Sequence, residues 1–153
     1  MSELTLAEII RIHERVERNC IWTSDRVRYG KAEHWSVPEP DPDGIIRDDC
    51  DGIAMRKLHE AQYRACYPAV CQTEQYDWRN RPATGFDHAV AVFEVEGEYY
   101  IADNRNPEVV PLRFFRHYGA FFRPVERQNL AGSWISFTPA SPSYFLRGPE
   151  NAL

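Results

Sequence analysis

The stretch at residues 48–65, DDCDGIAMRKLHEAQYRA, limits what this chain can fold into more than any other. Ala54, Leu58, Ala61 and Ala65 recur at steps of four, three and four, which draws one apolar stripe on a helix. Asp48, Asp49 and Asp51 bracket Cys50 at its front. Asp48 or Asp49 can accept hydrogen bonds from the first free backbone N–H groups, so the helix is expected to start here. Cys50 then sits in the first turn, four residues before Ala54 on the inward stripe. The positive end of the helix dipole favours thiolate over thiol at that place. A nucleophilic cysteine fits such a position, and so does an inert core cysteine.

Around this helix the chain, 153 residues long, reads as one α+β domain over 1–153, with a proline-rich tail from about residue 139. Hydrophobic residues make up 43% of it, enough for a packed core. Lys and Arg total 18 against 23 Asp and Glu, a net charge of −5 with no basic run, which argues against a nucleic-acid partner. No apolar run approaches the ~20 residues that span a bilayer, so no membrane partner is expected. The first residues mix acids and arginines, unlike a signal peptide, and the expected compartment is the cytoplasm. Cys20, Cys50, Cys66 and Cys71 form no CxxC pair and are expected as free thiols.

In chain order, residues 5–20 read as an amphipathic helix. Thr5 and Glu8 form a capping box, and Leu6, Ile9, Ile10, His13, Val16 and Cys20 mark the buried face. Residues 21–46 are irregular, with His34 and Trp35 as candidate cleft residues ahead of Pro38, Pro40 and Pro42. Strands are expected at 69–76 after Pro68, at 88–95, 98–103, 108–112, 121–126 and 133–138, with 113–119 a short helix or loop. The tail is expected to run over the surface. Helices first and antiparallel strands after point to helices packed on one side of a sheet.

Glu96-Gly97 is a turn signal. If Val95 faces Glu98, paired residue numbers sum to 193, Asp103 lies opposite Val90, and His88 becomes its diagonal neighbour on the same face. An aspartate held on a histidine fixes the ring's tautomer and stabilises its protonated form, leaving the other nitrogen for a thiol. A rim histidine and an Asx turn opened by Asp103 are the plain structural alternatives.

These residues resemble the bacterial transglutaminase-like cysteine peptidases, within the papain-like and transglutaminase-like group. The likeness rests on Trp35 to Pro38, Asp49-Cys50-Asp51, His88-Ala89-Val90 and Ala102-Asp103-Asn104, in the order Cys, His, Asp, and covers roughly residues 8–112. The resemblance implies a papain-like α+β fold, with the nucleophile helix on an antiparallel sheet. It implies acyl-transfer chemistry on the amide of a protein or peptide, with Cys50 as nucleophile, His88 as base and Asp103 as orienter. Trp35 and Asp51 are the candidate oxyanion or cleft residues, because no glutamine precedes Gln62. The chain departs from the family at Asp51-Gly52-Ile53, where Glu-Asp-Tyr is usual. No cofactor and no metal are expected. Three acids beside the thiol oppose the helix dipole, which is resolved if they face solvent as caps or, as in some relatives, hold calcium. Transglutaminase or deamidase chemistry on the same triad, and an inactive binding module, are the rival functions.

Overall fold

A computed structural model describes residues 2–23, 37–71, 88–114, 121–126, 129–130, 132–137 and 145–147. His34 and Trp35, with the loop at 77–87, lie outside them. Helix α1 is Leu6–Arg18, and Thr5 caps it by accepting the Glu8 N–H at 3.2 Å. Only half of the expected capping box forms, because the Glu8 carboxylate pairs with Arg64 at 2.9 Å. Its buried face is Ile9, Ile12, His13 and Val16; Ile10, expected on that face, is 38% exposed, and Ile12, not expected there, is buried.

Two short strands stand at the two ends of the stretch expected to be irregular, β1 (Cys20–Trp22) and β2 (Ile46–Asp48), and they pair in parallel with Cys20 opposite Ile46. Strand β2 feeds straight into helix α2 (Cys50–Glu60), so the thiol is fixed at the first helical residue. The helix stops short of Ala65. Residues 61–65 form turns with left-handed backbone at Gln62, Tyr63 and Ala65, and the Tyr63 N–H bonds to the Leu58 carbonyl. Helix α1 packs on α2, and α2 lies across β3 and β4. Ile9, Ile12 and Val16 meet Ile53, Ala54 and Leu58, with Phe93 and Ala91 below. Each large side chain buried there stabilises the fold by roughly 1.5–3 kcal/mol.

The main sheet is β3 (Cys66–Cys71), β4 (His88–Val95), β5 (Glu98–Ala102), β6 (Val110–Pro111), β7 (Phe121–Pro124), β8 (Ser133–Ser136) and β9 (Phe145–Arg147). Its order is β6-β5-β4-β3-β7-β8-β9, and its pairs are antiparallel. Strand β3 starts three residues earlier than expected and takes in Pro68. Strand β7 pairs β3 only at Val70 and Cys71, so Pro68 sits where one flank is open, a position that tolerates proline. The expected strand at 108–112 shrinks to Val110–Pro111, and a 3-10 turn, Leu112–Phe114, follows it. The tail does more than cover the surface: Phe145–Arg147 pairs with β8, Ser133 opposite Arg147.

Both faces of the central strands are buried. Val70, Ala89, Ala91 and Phe93 lie under the helices, while Tyr67, Ala69, Val90, Val92 and Ile101 form a second cluster with Phe121 and Leu112. Among the described residues no helix is long and apolar enough to cross a membrane.

Candidate active site

The β4–β5 hairpin turns at Glu96-Gly97 with Val95 opposite Glu98, the expected register. It brings the first residue of β4 and the residue just past β5 together. His88 Nε2 and Asp103 Oδ1 are 2.6 Å apart, with both side chains at 0% exposure. The same carboxylate oxygen accepts the Arg105 N–H at 2.9 Å, and the Asn106 N–H bonds to the Asp103 carbonyl at 3.0 Å. The turn thus fixes Asp103, and Asp103 fixes which ring nitrogen of His88 faces it.

Cys50 is half-buried and packs against the cluster made of Val70, Ala89, Phe122 and Trp134. Ala89 is the neighbour of His88 in β4, and Val70 is the neighbour of Cys71, which pairs with His88. Successive strand residues point to opposite faces. His88 therefore starts on the face of Val90, whereas Cys50 lies on the face of Ala89. A thiol–imidazole contact has to be made around the first residue of β4, at the end of the sheet and not across one face. The structure hydrogen-bonds two of the three expected residues, and the third, Cys50, packs on a cluster that includes Ala89, the strand neighbour of His88.

Two of the three acids beside Cys50 do not face solvent. Asp48 and Asp51 are buried, and only Asp49 is partly exposed. Asp49 holds the N-cap position, yet its side chain makes no capping bond to the helix. Asp48 Oδ1 accepts the Asp49 N–H at 2.8 Å and Asp51 Oδ1 accepts the Gly52 N–H at 2.7 Å. Asp51, expected in a cleft, is thus folded back on its own helix. One oxygen from each of the three converges within 4.8 Å, a set of hard ligands that suits a divalent cation. Glycine at residue 52 has a packing cause. A Cβ at residue 52 would lie 2.1 Å from Asp48 Cγ, so the buried carboxylate fills the space a side chain would take.

Sequence reading missed Lys57. It lies seven residues after Cys50, two turns down the same helix face, yet is fully buried, with Nζ 2.5 Å from Glu17 Oε1. The i, i+7 spacing from the cysteine was the available signal. The other thiol near the helices, Cys20, is pushed up to about 12, first by burial and then by the Glu17 charge. A cavity of about 350 Å³ is lined by Met55, Leu58, Tyr63, Cys66, Tyr67, Pro68 and Leu130. Most of it lies by the start of β3, the opposite end of that strand from Cys71 and His88. No protein-family model matches the chain, and no curated protein matches it.

Proposed function

We propose that the protein is a thiol-dependent amide-bond hydrolase, a cysteine peptidase acting on a protein or peptide, on a papain-like or transglutaminase-like fold. The observation that carries this reading is the buried 2.6 Å hydrogen bond between His88 and Asp103, next along β4 to Ala89, a member of the cluster against which Cys50 packs. With Nε2 held by Asp103, His88 would present Nδ1 to the thiol and take its proton. The Cys50 thiolate would attack the amide carbonyl carbon, and the imidazolium would protonate the leaving amine as the C–N bond breaks. Water, deprotonated by His88, would then cleave the thioester and return the thiol. Backbone N–H groups at the start of α2 are the candidate donors to the oxyanion.

A second reading, a non-catalytic binding module, is favoured by one observation: the His88 and Asp103 side chains have no exposure to solvent. In that case the pair is a structural brace and Cys50 a core thiol.

Alkylation rates of each cysteine, measured from acid to alkaline pH by peptide mass spectrometry, separate the two. The catalytic reading expects Cys50 to react fast well below the ~8.5 of a free thiol. In His88→Ala that advantage is lost, by about tenfold or more. Cysteine labelling that is uniformly slow in both proteins sinks the catalytic reading. Cys50→Ala would then leave the protein's function intact.

A further inference from the structure

The cavity beneath the end of α2 has no part in the mechanism above, and its shape has identifiable causes. Successive residues of β3 point to opposite faces, so Cys66 and Pro68 turn toward α2, while Tyr67 joins the cluster of Val90 and Val92 on the other side. Both floor residues are small. Met55 and Leu58 of α2, Tyr63 of the turn after it and Leu130 of the segment before β8 close the sides and leave about 350 Å³. That is more than twice the ~150 Å³ of an engineered core void, and it falls within the ~300–1,000 Å³ of ligand pockets. Interiors packed to crystal-like density do not leave such a space by default.

A second, independent observation lies at its rim. Among the described residues four non-glycines have left-handed backbone, and three of them, Gln62, Tyr63 and Ala65, stand in this one turn with φ of 56°, 56° and 44°. The helix end accounts for Gln62. Its N–H bonds to the His59 carbonyl at 2.9 Å and the Tyr63 N–H to the Leu58 carbonyl at 3.0 Å, a pairing that one left-handed residue completes. Tyr63 and Ala65 hold a costly backbone that the helix end does not require. What it achieves is placement. Tyr63 stands 41% exposed at the mouth, its ring edge-on to His59 at 6.2 Å, and Cys66 follows below it, buried.

We propose that this cavity is a binding site for a small uncharged molecule with a ring or short aliphatic chain and one hydroxyl. The apolar body lies against Leu58, Cys66 and Pro68, and the hydroxyl points outward beside Tyr63. The lining decides the chemistry. None of its side chains is charged, so an ion that entered would give up water without meeting a counter-charge. The Met55 thioether and the Cys66 thiol are soft, polarisable surfaces that suit a ring or chain. The site is separate from the one above, because it lies at the start of β3, whereas Cys71 at the other end pairs with His88. The proposal holds whether or not Cys50 is a nucleophile.

Cys66 reports occupancy, because it lies in the cavity wall; Cys71, buried in the same strand but outside the cavity, is the internal control. The full chain is labelled with N-ethylmaleimide in the presence of p-cresol or hexanol, and each thiol is followed by peptide mass spectrometry. At a ligand concentration about ten times the dissociation constant, the Cys66 rate should fall about tenfold relative to that of Cys71. No fall, or a fall shared equally by both thiols, overturns the proposal. Hexanoate, which carries a charge in place of the hydroxyl, should leave the ratio unchanged, and protection equal to that of hexanol overturns the proposal. Tyr63→Gly relieves the backbone strain and removes the ring at the mouth, so it should fold and lose the protection. Leu130→Trp fills the cavity and should make Cys66 labelling slow and insensitive to p-cresol. Full protection persisting in either folded variant overturns the proposal. Should neither variant fold, the contrast between hexanol and hexanoate on the wild type decides.

Discussion

At the scale of single residues, environment separates thiols that composition lists as equals. Cys20 follows a helix, lies near Glu17 and is held protonated to about 12. Cys50 opens a helix, at the end where free backbone N–H groups gather and three carboxylates flank it. The place of Cys50 at the helix start was legible in the periodicity of residues 48–65. The fate of its neighbours was not. Hydropathy assigns Asp48 and Lys57 to the surface, yet both are fully buried. Asp48 is accommodated by the missing side chain at residue 52, and Lys57 by Glu17, a partner 40 residues away. Gly52 is local to Asp48 but hydropathy does not weigh the space a glycine leaves, and Glu17 is too far along the chain for a local pattern to show it. Gly52 gives the first prediction here. Gly52→Ala places a Cβ at 2.1 Å from Asp48 Cγ inside a packed helix start. It should destabilise the protein by about 1–3 kcal/mol, seen as a lower urea midpoint, and Asp48→Ser in the same chain should recover part of the loss. An unchanged midpoint would mean that Asp48 swings away freely.

At the scale of elements, the β4–β5 hairpin was readable because its determinants are adjacent in sequence. Glu96 and Gly97 both have left-handed backbone, with φ of 52° and 79°, as a two-residue turn with the twist of its strands requires. The turn sets the register, and the register sets His88 against Asp103. Glycine adopts that backbone without strain, whereas glutamate does so at a cost. Glu96→Asn should therefore raise the thermal midpoint, with a gain of about 0.5–1 kcal/mol, and leave the register as it is. A fall in the midpoint would show that the Glu96 side chain contributes more than its backbone costs. Elements whose partners lie far along the chain were less readable. The parallel pairing of β1 with β2 closes a long loop, and β9 pairs through a segment whose prolines suggest only coil. Pro68 misled for another reason: proline bars a helix outright, but it bars a strand only where both flanks are paired.

At the scale of the whole molecule, α1 does more than cover the sheet. Its buried face carries Ile9, Ile12 and Val16 into the core, and between them His13 reaches the Asn106 carbonyl beside Asp103. The helix stripe predicted that burial, but not the contact, which spans 93 residues. Burial, followed by the charge of Lys57, lowers the proton affinity of His13 in the folded state. The consequence for stability has a definite sign. Between the lowered folded value and the ~6.5 of an unfolded histidine, the unfolded chain binds a proton that the folded protein refuses. Stability from this residue is complete above ~6.5 and is lost as pH falls through that window toward the folded value. Urea midpoints measured from pH 8 down to pH 5 should decline for the wild type, beyond what carboxylate protonation causes at the lower end. His13→Gln retains a donor for the Asn106 carbonyl and removes the titrating ring, so its midpoint should decline less over the same window. If the two proteins decline in parallel, His13 takes up its proton equally in the folded and unfolded states, and the brace between α1 and the Asp103 turn is loose enough to let water in.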